Sequence, residues 1–207
     1  MKKYIPLIIA LSAVSGASYA ATTTTNGNTV DYLQVRQGVA YQVNQTTPFT
    51  GKYAEKYDNG QYATKTQFKN GLEYGLETNW YVNGQTASKI HYVKGKIDGK
   101  VEAWYPNGAK KAVLEYKNGK LNGPVERWFP NGEKRLTAHY VNGKQDGTFT
   151  HYYPNGHKAT EAKYKDGALS DGKVTCWDPD GQKVEQLTFR HQRLISEQSW
   201  LPSDAHS

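Results

Sequence analysis

Gly99-Lys100-Val101-Glu102-Ala103-Trp104-Tyr105-Pro106-Asn107-Gly108-Ala109-Lys110 runs on into Lys111-Ala112-Val113-Leu114-Glu115-Tyr116-Lys117-Asn118-Gly119-Lys120-Leu121-Asn122, and at Gly123 the same design starts again. Apolar and polar residues alternate on either side of two Asn-Gly pairs. Alternation at period two marks strands, and Asn-Gly between such runs is the strongest short-range signal for a hairpin. The stretch therefore reads as two strands and two turns.

Working outward, the frame glycines are Gly51, Gly75, Gly99, Gly123, Gly147 and Gly172, a 24-residue spacing with one extra residue before the last. A first Asn-Gly or Asp-Gly recurs at 59–60, 83–84, 107–108, 131–132, 155–156 and 180–181. A second turn recurs at 70–71, 94–95, 118–119, 142–143 and 166–167. Pro106, Pro130, Pro154 and Pro179 stand just before the first turn, where a missing N–H does least harm to a strand. If every Asn-Gly closes a two-residue loop with φ > 0 at both positions, the faces follow from the alternation. One face carries Val101, Ala103, Tyr105, Ala112, Leu114 and Tyr116, then Val125, Phe129, Leu136, Ala138 and Tyr140, with Arg127 as the exception. This is the expected core.

The opposite face is polar apart from one aromatic residue per repeat: Trp80, Trp104, Trp128, Tyr152 and Trp177. Equivalent residues two strands apart stand roughly 9–10 Å from one another. Such a row has two readings. Each ring can cover backbone and the stems of neighbouring long side chains, or the row can be a recognition stripe, since Trp and Tyr anchor binding hot spots. On the second reading the rings are the centre of a partner-binding surface whose charged surround is Glu102, Glu126, Lys111 and Arg135.

The expected fold is all-β: an elongated, twisted, single-layer antiparallel meander of tandem β-hairpins in which each repeat touches only its neighbours. A hydrophobic fraction of 37% over 207 residues agrees with an open architecture, being low for a large closed core. The chain divides into a signal peptide (1–20), a flexible leader (21–29), an N-terminal capping hairpin (30–50) with turns near Gln37-Gly38 and Asn44, the repeats (51–189), and an irregular C-terminal cap and tail (190–207). The signal peptide is read from Lys2-Lys3, the apolar run Ile5 to Val14, and Ser18-Tyr19-Ala20, with cleavage after Ala20. Periplasmic export is the consequence.

The formal charge of +7 falls by two when Lys2 and Lys3 are removed, and the remaining Lys and Arg are scattered among acids. No basic block tracks a phosphate backbone, so nucleic acid is not an expected partner, and membrane contact is expected to be weak. Cys176 is the single cysteine, so no intramolecular disulfide can form. His91 and His139 occupy one repeat position two units apart, about 19 Å across four strand spacings, too far to share a metal. Glu102 and Glu126 stand about 9.6 Å apart on the same spacing, without a visible groove around them. Neither a nucleophile motif nor a phosphate-binding glycine loop is present, so no enzymatic activity, cofactor or metal is expected.

The unit Gly-x-x-x-x-Trp-Tyr-Pro-Asn-Gly-x-Lys followed by Tyr-x-Asn-Gly-Lys-x-x-Gly, seen in Gly99 to Gly123, resembles the variant MORN repeat of bacteria, and within it the YwqK-like group labelled as antitoxins. Arg36 to Tyr41 and Thr47-Pro48-Phe49-Thr50-Gly51 resemble the way members of that group begin. The resemblance implies a hairpin sheet for protein or lipid contact. On an exported chain it also implies an immunity protein, bound to a toxic effector encoded by a neighbouring gene, such as an envelope-targeting phospholipase. A cell-envelope or cell-wall module that binds lipid or glycan, or a scaffold, is the alternative. Asp178-Pro179-Asp180-Gly181 and the His191-Gln192 turn depart from the pattern at the C-terminal end. Intact-mass measurement of the chain from a periplasmic extract is expected to show Ala21 at the N-terminus, and full-length chain in the cytoplasm would refute export.

Overall fold

The computed structural model describes residues 29–30 and 33–200. The expected signal peptide, nearly all of the expected leader, and residues 201–207 lie outside the described residues. Among the described residues the chain is strand and turn, arranged as one long meander that does not close into a barrel, as the repeat predicts.

In each unit, the first strand pairs antiparallel with the second and the second with the first strand of the next unit. Lys96–Trp104 pairs with Lys110–Lys117, which pairs with Lys120–Trp128, which pairs with Lys134–Val141. On the core face, Val101 lies opposite Leu114 and Ile90, and Val125 lies opposite Leu114 and Ala138. Val101 and Val125 are 2% and 1% exposed, and Tyr92, Ala103, Tyr116, Tyr140 and Phe149 pack around this aliphatic file. Large aromatic rings flanking small aliphatics let a single sheet bury one face without a second layer. Glu77 occupies the position of Val101 one repeat earlier, opposite Ile90, and burial raises its carboxyl above the usual range. Its presence, with Glu73, adds to the burial that pushes the Tyr92 phenol up to about 12.

The two turns of the repeat differ, which corrects the expectation of two-residue loops throughout. At the second turn, Asn118 and Gly119 both have positive φ, 51° and 78°, and close a two-residue loop between Lys117 and Lys120. At the first, Gly108 alone has positive φ, 83°. The Gly108 N–H donates to the Tyr105 carbonyl and the Tyr105 N–H donates to the Ala109 carbonyl, so Pro106-Asn107-Gly108 is a three-residue loop. Proline pre-sets φ at the first loop position, and the glycine supplies the left-handed one. Asn107 has another task. Its Oδ1 accepts from the Ala109 N–H, and its Nδ2 donates to the Pro130 carbonyl of the next repeat at 3.3 Å. The same forward bond runs from Asn59 to Val82, Asn83 to Pro106, Asn131 to Pro154 and Asn155 to Pro179.

Tyrosine hydroxyls reinforce that edge. Tyr57, Tyr81, Tyr105 and Tyr153 donate to the carbonyls of Trp80, Trp104, Trp128 and Trp177, all at 2.7–2.9 Å. At the other edge the second-turn glycines Gly95, Gly119, Gly143 and Gly167 donate to Glu73, Ile97, Leu121 and Gln145 carbonyls in the preceding strand. Both edges of the ribbon are thus stitched from repeat to repeat.

The ends differ from the middle. The hairpin Gln34–Arg36/Val39–Tyr41 forms its own two-stranded sheet and docks through Ala40 N–H to Gly71 O, Gly71 N–H to Phe49 O and Phe49 N–H to Ala40 O. Thr29–Val30, which overlaps the expected flexible leader at Thr29, instead pairs parallel with Gly51–Lys56. At the C-terminus the expected irregular cap is a regular strand, Arg193–Ser199, paired antiparallel with Lys183–Arg190. His191 and Gln192 adopt φ of 50° and 61°, so the turn forms without glycine.

Frame glycine Gly123 has φ of 132°, and an added Cβ would lie 3.0 Å from the Glu115 Cβ and 2.6 Å from its Oε2. Gly132, at φ 90°, faces open space. Gly123→Ala is therefore expected to cost more than Gly132→Ala by about 1 kcal/mol in urea unfolding, since strain is common to both and crowding is not. Equal costs would contradict the packing at Gly123.

Candidate binding face

Successive side chains in a strand point to opposite sides, so the face opposite the core is built from Glu102 and Trp104, Val113 and Glu115, and their equivalents. Trp80, Trp104, Trp128, Tyr152 and Trp177 all fall here and are all half-buried. Tyr62 extends the row at its N-terminal end, its ring centroid 6.3 Å from that of Trp80.

Lysines interleave with these rings. Lys65 Nζ is 3.3 Å from the Tyr62 centroid and 5.8 Å from that of Trp80. Lys89 reaches Trp104 at 5.9 Å, Lys110 reaches Trp128 at 5.5 Å and Lys158 reaches Trp177 at 5.7 Å. Each lysine leans forward onto the ring of the following repeat. Two different repeat positions supply them, mid-strand in Lys65 and Lys89 and just after the turn in Lys110 and Lys158, and the file is interrupted before Tyr152, where Lys134 bonds Glu126 instead. Contacts of this kind contribute about 0.5–1 kcal/mol at exposed sites.

Glu102 and Glu126 lie on the same face. Glu102 pairs with Lys100 at 2.8 Å, and Glu126 accepts from Lys134 at 2.7 Å. The hydrogen bond to Glu126 raises the Lys134 ammonium above its usual value, against a smaller lowering by burial. Thr150 and Thr175 replace these glutamates in the later repeats and are buried.

Lys111 and Arg135 are not part of this face, contrary to the reading from a two-residue loop. The three-residue loop pairs Lys110 with Trp104, and the ladder then resumes at Ala112 opposite Ala103, leaving Lys111 as the extra residue of a bulge. Arg135 is the extra residue between Lys134, opposite Trp128, and Leu136, opposite Arg127. A bulge re-aims its side chain. Lys111 Nζ accordingly sits 5.6 Å from the Tyr105 centroid, and the Arg135 guanidinium 5.8 Å from that of Phe129, both rings of the core face. Ala159, the next equivalent, is buried. Sequence alternation alone missed Lys65, Lys89, Lys110 and Lys158. For Lys110 and Lys158 the signal available was the Lys two residues beyond the turn glycines Gly108 and Gly156.

His91 and His139 each bond a backbone carbonyl through Nδ1, that of Asp98 at 2.9 Å and of Asp146 at 3.2 Å, beside the frame glycines. Cys176 is half-buried and its thiol is pushed up by that burial, which disfavours the reactive thiolate.

Residues 97–118, 121–142, 145–166 and 170–191 match the MORN repeat variant, each match beginning just after a second turn and covering one hairpin. Residues 97–191 are a MORN-repeat array. The matched segments omit the hairpins between residues 51 and 93, although these show the same tyrosine and asparagine bonds to the repeat that follows. No curated protein matches the chain. A MORN array is a repeat-based binding module: its units present equivalent side chains at a fixed spacing along one surface.

Proposed function

We propose that the protein is a non-enzymatic, exported immunity protein that neutralises a toxic effector, such as an envelope-targeting phospholipase, by binding and occluding it. The observation that carries this reading is the aromatic–lysine file, which runs from Tyr62 to Trp128 along one face and resumes with Lys158 on Trp177. Half-exposed tryptophans bracketed by lysines and by the Glu102 and Glu126 ion pairs have the composition of an interface centre with a charged surround. Occlusion needs an extended surface of fixed shape, and the stitched ribbon supplies one. The partner is a protein encoded beside this chain, and the site of action is the periplasm. Binding rather than catalysis suits a face whose carboxylates are ion-paired and whose rings are partly covered.

The same rings also hold lysine stems in place, so partner binding and stability must be separated. The Trp104→Ala and Trp128→Ala variants are each expected to cost about 2 kcal/mol of affinity for the purified product of the neighbouring gene. Lys111→Ala, on the other face, is expected to leave that affinity unchanged. A lowered melting temperature with unchanged affinity in the Trp104→Ala, Trp128→Ala double variant would mean that the row is structural and the partner binds elsewhere.

A further inference from the structure

The core face carries charge at several places, among them Glu77 and, at the centre of the array, Arg127. Arg127 holds the position that Ala103 holds one repeat earlier, opposite both Ala112 and Leu136. Leu136 lies in turn opposite His151, so Arg127, Leu136 and His151 form one row across three adjacent strands, with Arg127 and His151 about 10 Å apart at Cα. Arg135 enters the same region as the bulge residue beside Leu136, its guanidinium against Phe129.

All three side chains are half-buried, and the Arg127 Nε is fully buried without a hydrogen-bond partner. The groups acting on Arg127 are Arg135 and the phenols of Tyr105, Tyr116 and Tyr140, with no carboxylate among them. The charged group acting on His151 is again Arg135. The row is handled differently two repeats earlier, where Thr64, Asn79 and Ser88 satisfy one another at 2.7–3.0 Å. A half-buried charge with a free donor and a second like charge beside it costs stability unless an anion completes it.

We propose that Arg127, Arg135 and His151 form a second binding site, on the face opposite the tryptophan row, that takes the carboxylate of an acidic peptide segment. A carboxylate is planar and accepts two parallel N–H bonds from a guanidinium, here from the terminal nitrogens, since the Nε is enclosed. Leu136 and the rings of Tyr116 and Tyr140 form apolar surroundings that favour a singly charged, flat anion over a strongly hydrated one. The site is independent of the aromatic–lysine face, so either can fail without the other.

The test is calorimetric titration of the full mature chain with a capped tetraglutamate peptide at fixed salt, with tetraglutamine and inorganic phosphate as comparison probes. Saturable binding of tetraglutamate is expected, weakened about tenfold or more by Arg127→Met and by Arg135→Gln. Exposed Lys117→Gln and the face-opposite Trp104→Ala are expected to leave it unchanged. Without peptide, Arg127→Met is expected to melt no lower than the parent, because an unpaired half-buried charge has been removed. Should Arg127→Met fail to fold, Arg135→Gln supplies the same comparison. Unchanged affinity in a folded Arg127→Met or Arg135→Gln, equal loss in Lys117→Gln, or phosphate binding tighter than the peptide and lost in the arginine variants would each overturn the proposal.

Discussion

The fold depends on hydrogen bonds that pass from each turn to the backbone of the following repeat. An isolated hairpin is marginal in water because it has too little surface to bury, and stacking identical units is the physical solution. Here the first-turn asparagine ties loop to loop and the tyrosine before it ties ring to strand, for example Asn107 to Pro130 and Tyr105 to Trp128. One acceptor, Trp128, ends its strand and the other, Pro130, lies in the next first-turn loop. The side chains therefore add cohesion between repeats and satisfy backbone groups in the same bond.

That arrangement explains how each face can vary. With the edges stitched by turn residues, the mid-strand positions are free to be Val101 and Val125 in the centre, Glu77 near one end and Arg127 in between. On the other face the rows of Trp and Lys keep their spacing even where the lysine comes from a different position in the unit. A scaffold whose geometry does not rely on its faces can present different chemistry on each. This is the physical basis for placing an occluding surface on one side and a carboxylate site on the other.

Much of the architecture was legible because turn chemistry is local. Asn118-Gly119 and its equivalents announce their conformation, and the alternation around them assigns Val101, Leu114, Val125 and Ala138 to the core. The first turn was misread because Asn-Gly signals two-residue and three-residue loops alike, and the longer loop forms both with Pro106 ahead of it and with Asp58 or Val82 in that place. The longer loop is followed by a bulge, which restores the register at Ala112. The error therefore stayed confined to the bulge residues Lys111 and Arg135. Arg127 was visible in the sequence as an exception. Its unpaired Nε was not, because pairing depends on what neighbouring strands bring beside it. The His191-Gln192 turn was legible, but the strand Arg193–Ser199 after it was not, because no further Asn-Gly turn follows to mark its end.

The measurement that tests this account most directly compares Asn107→Gly with Asn118→Gly by denaturant unfolding. Both changes add the same backbone freedom to the unfolded chain. Asn118 contributes a backbone that tolerates positive φ, with its N–H donating to Asp98 Oδ2, and glycine can do the same. Asn107 contributes a side chain bonded both within its loop and to the next repeat, which glycine cannot replace. The account predicts that Asn107→Gly is the more destabilising by about 1 kcal/mol or more. Equal losses, or a larger loss at Asn118, would contradict the claim that repeat-to-repeat bonds from the turns hold the array together.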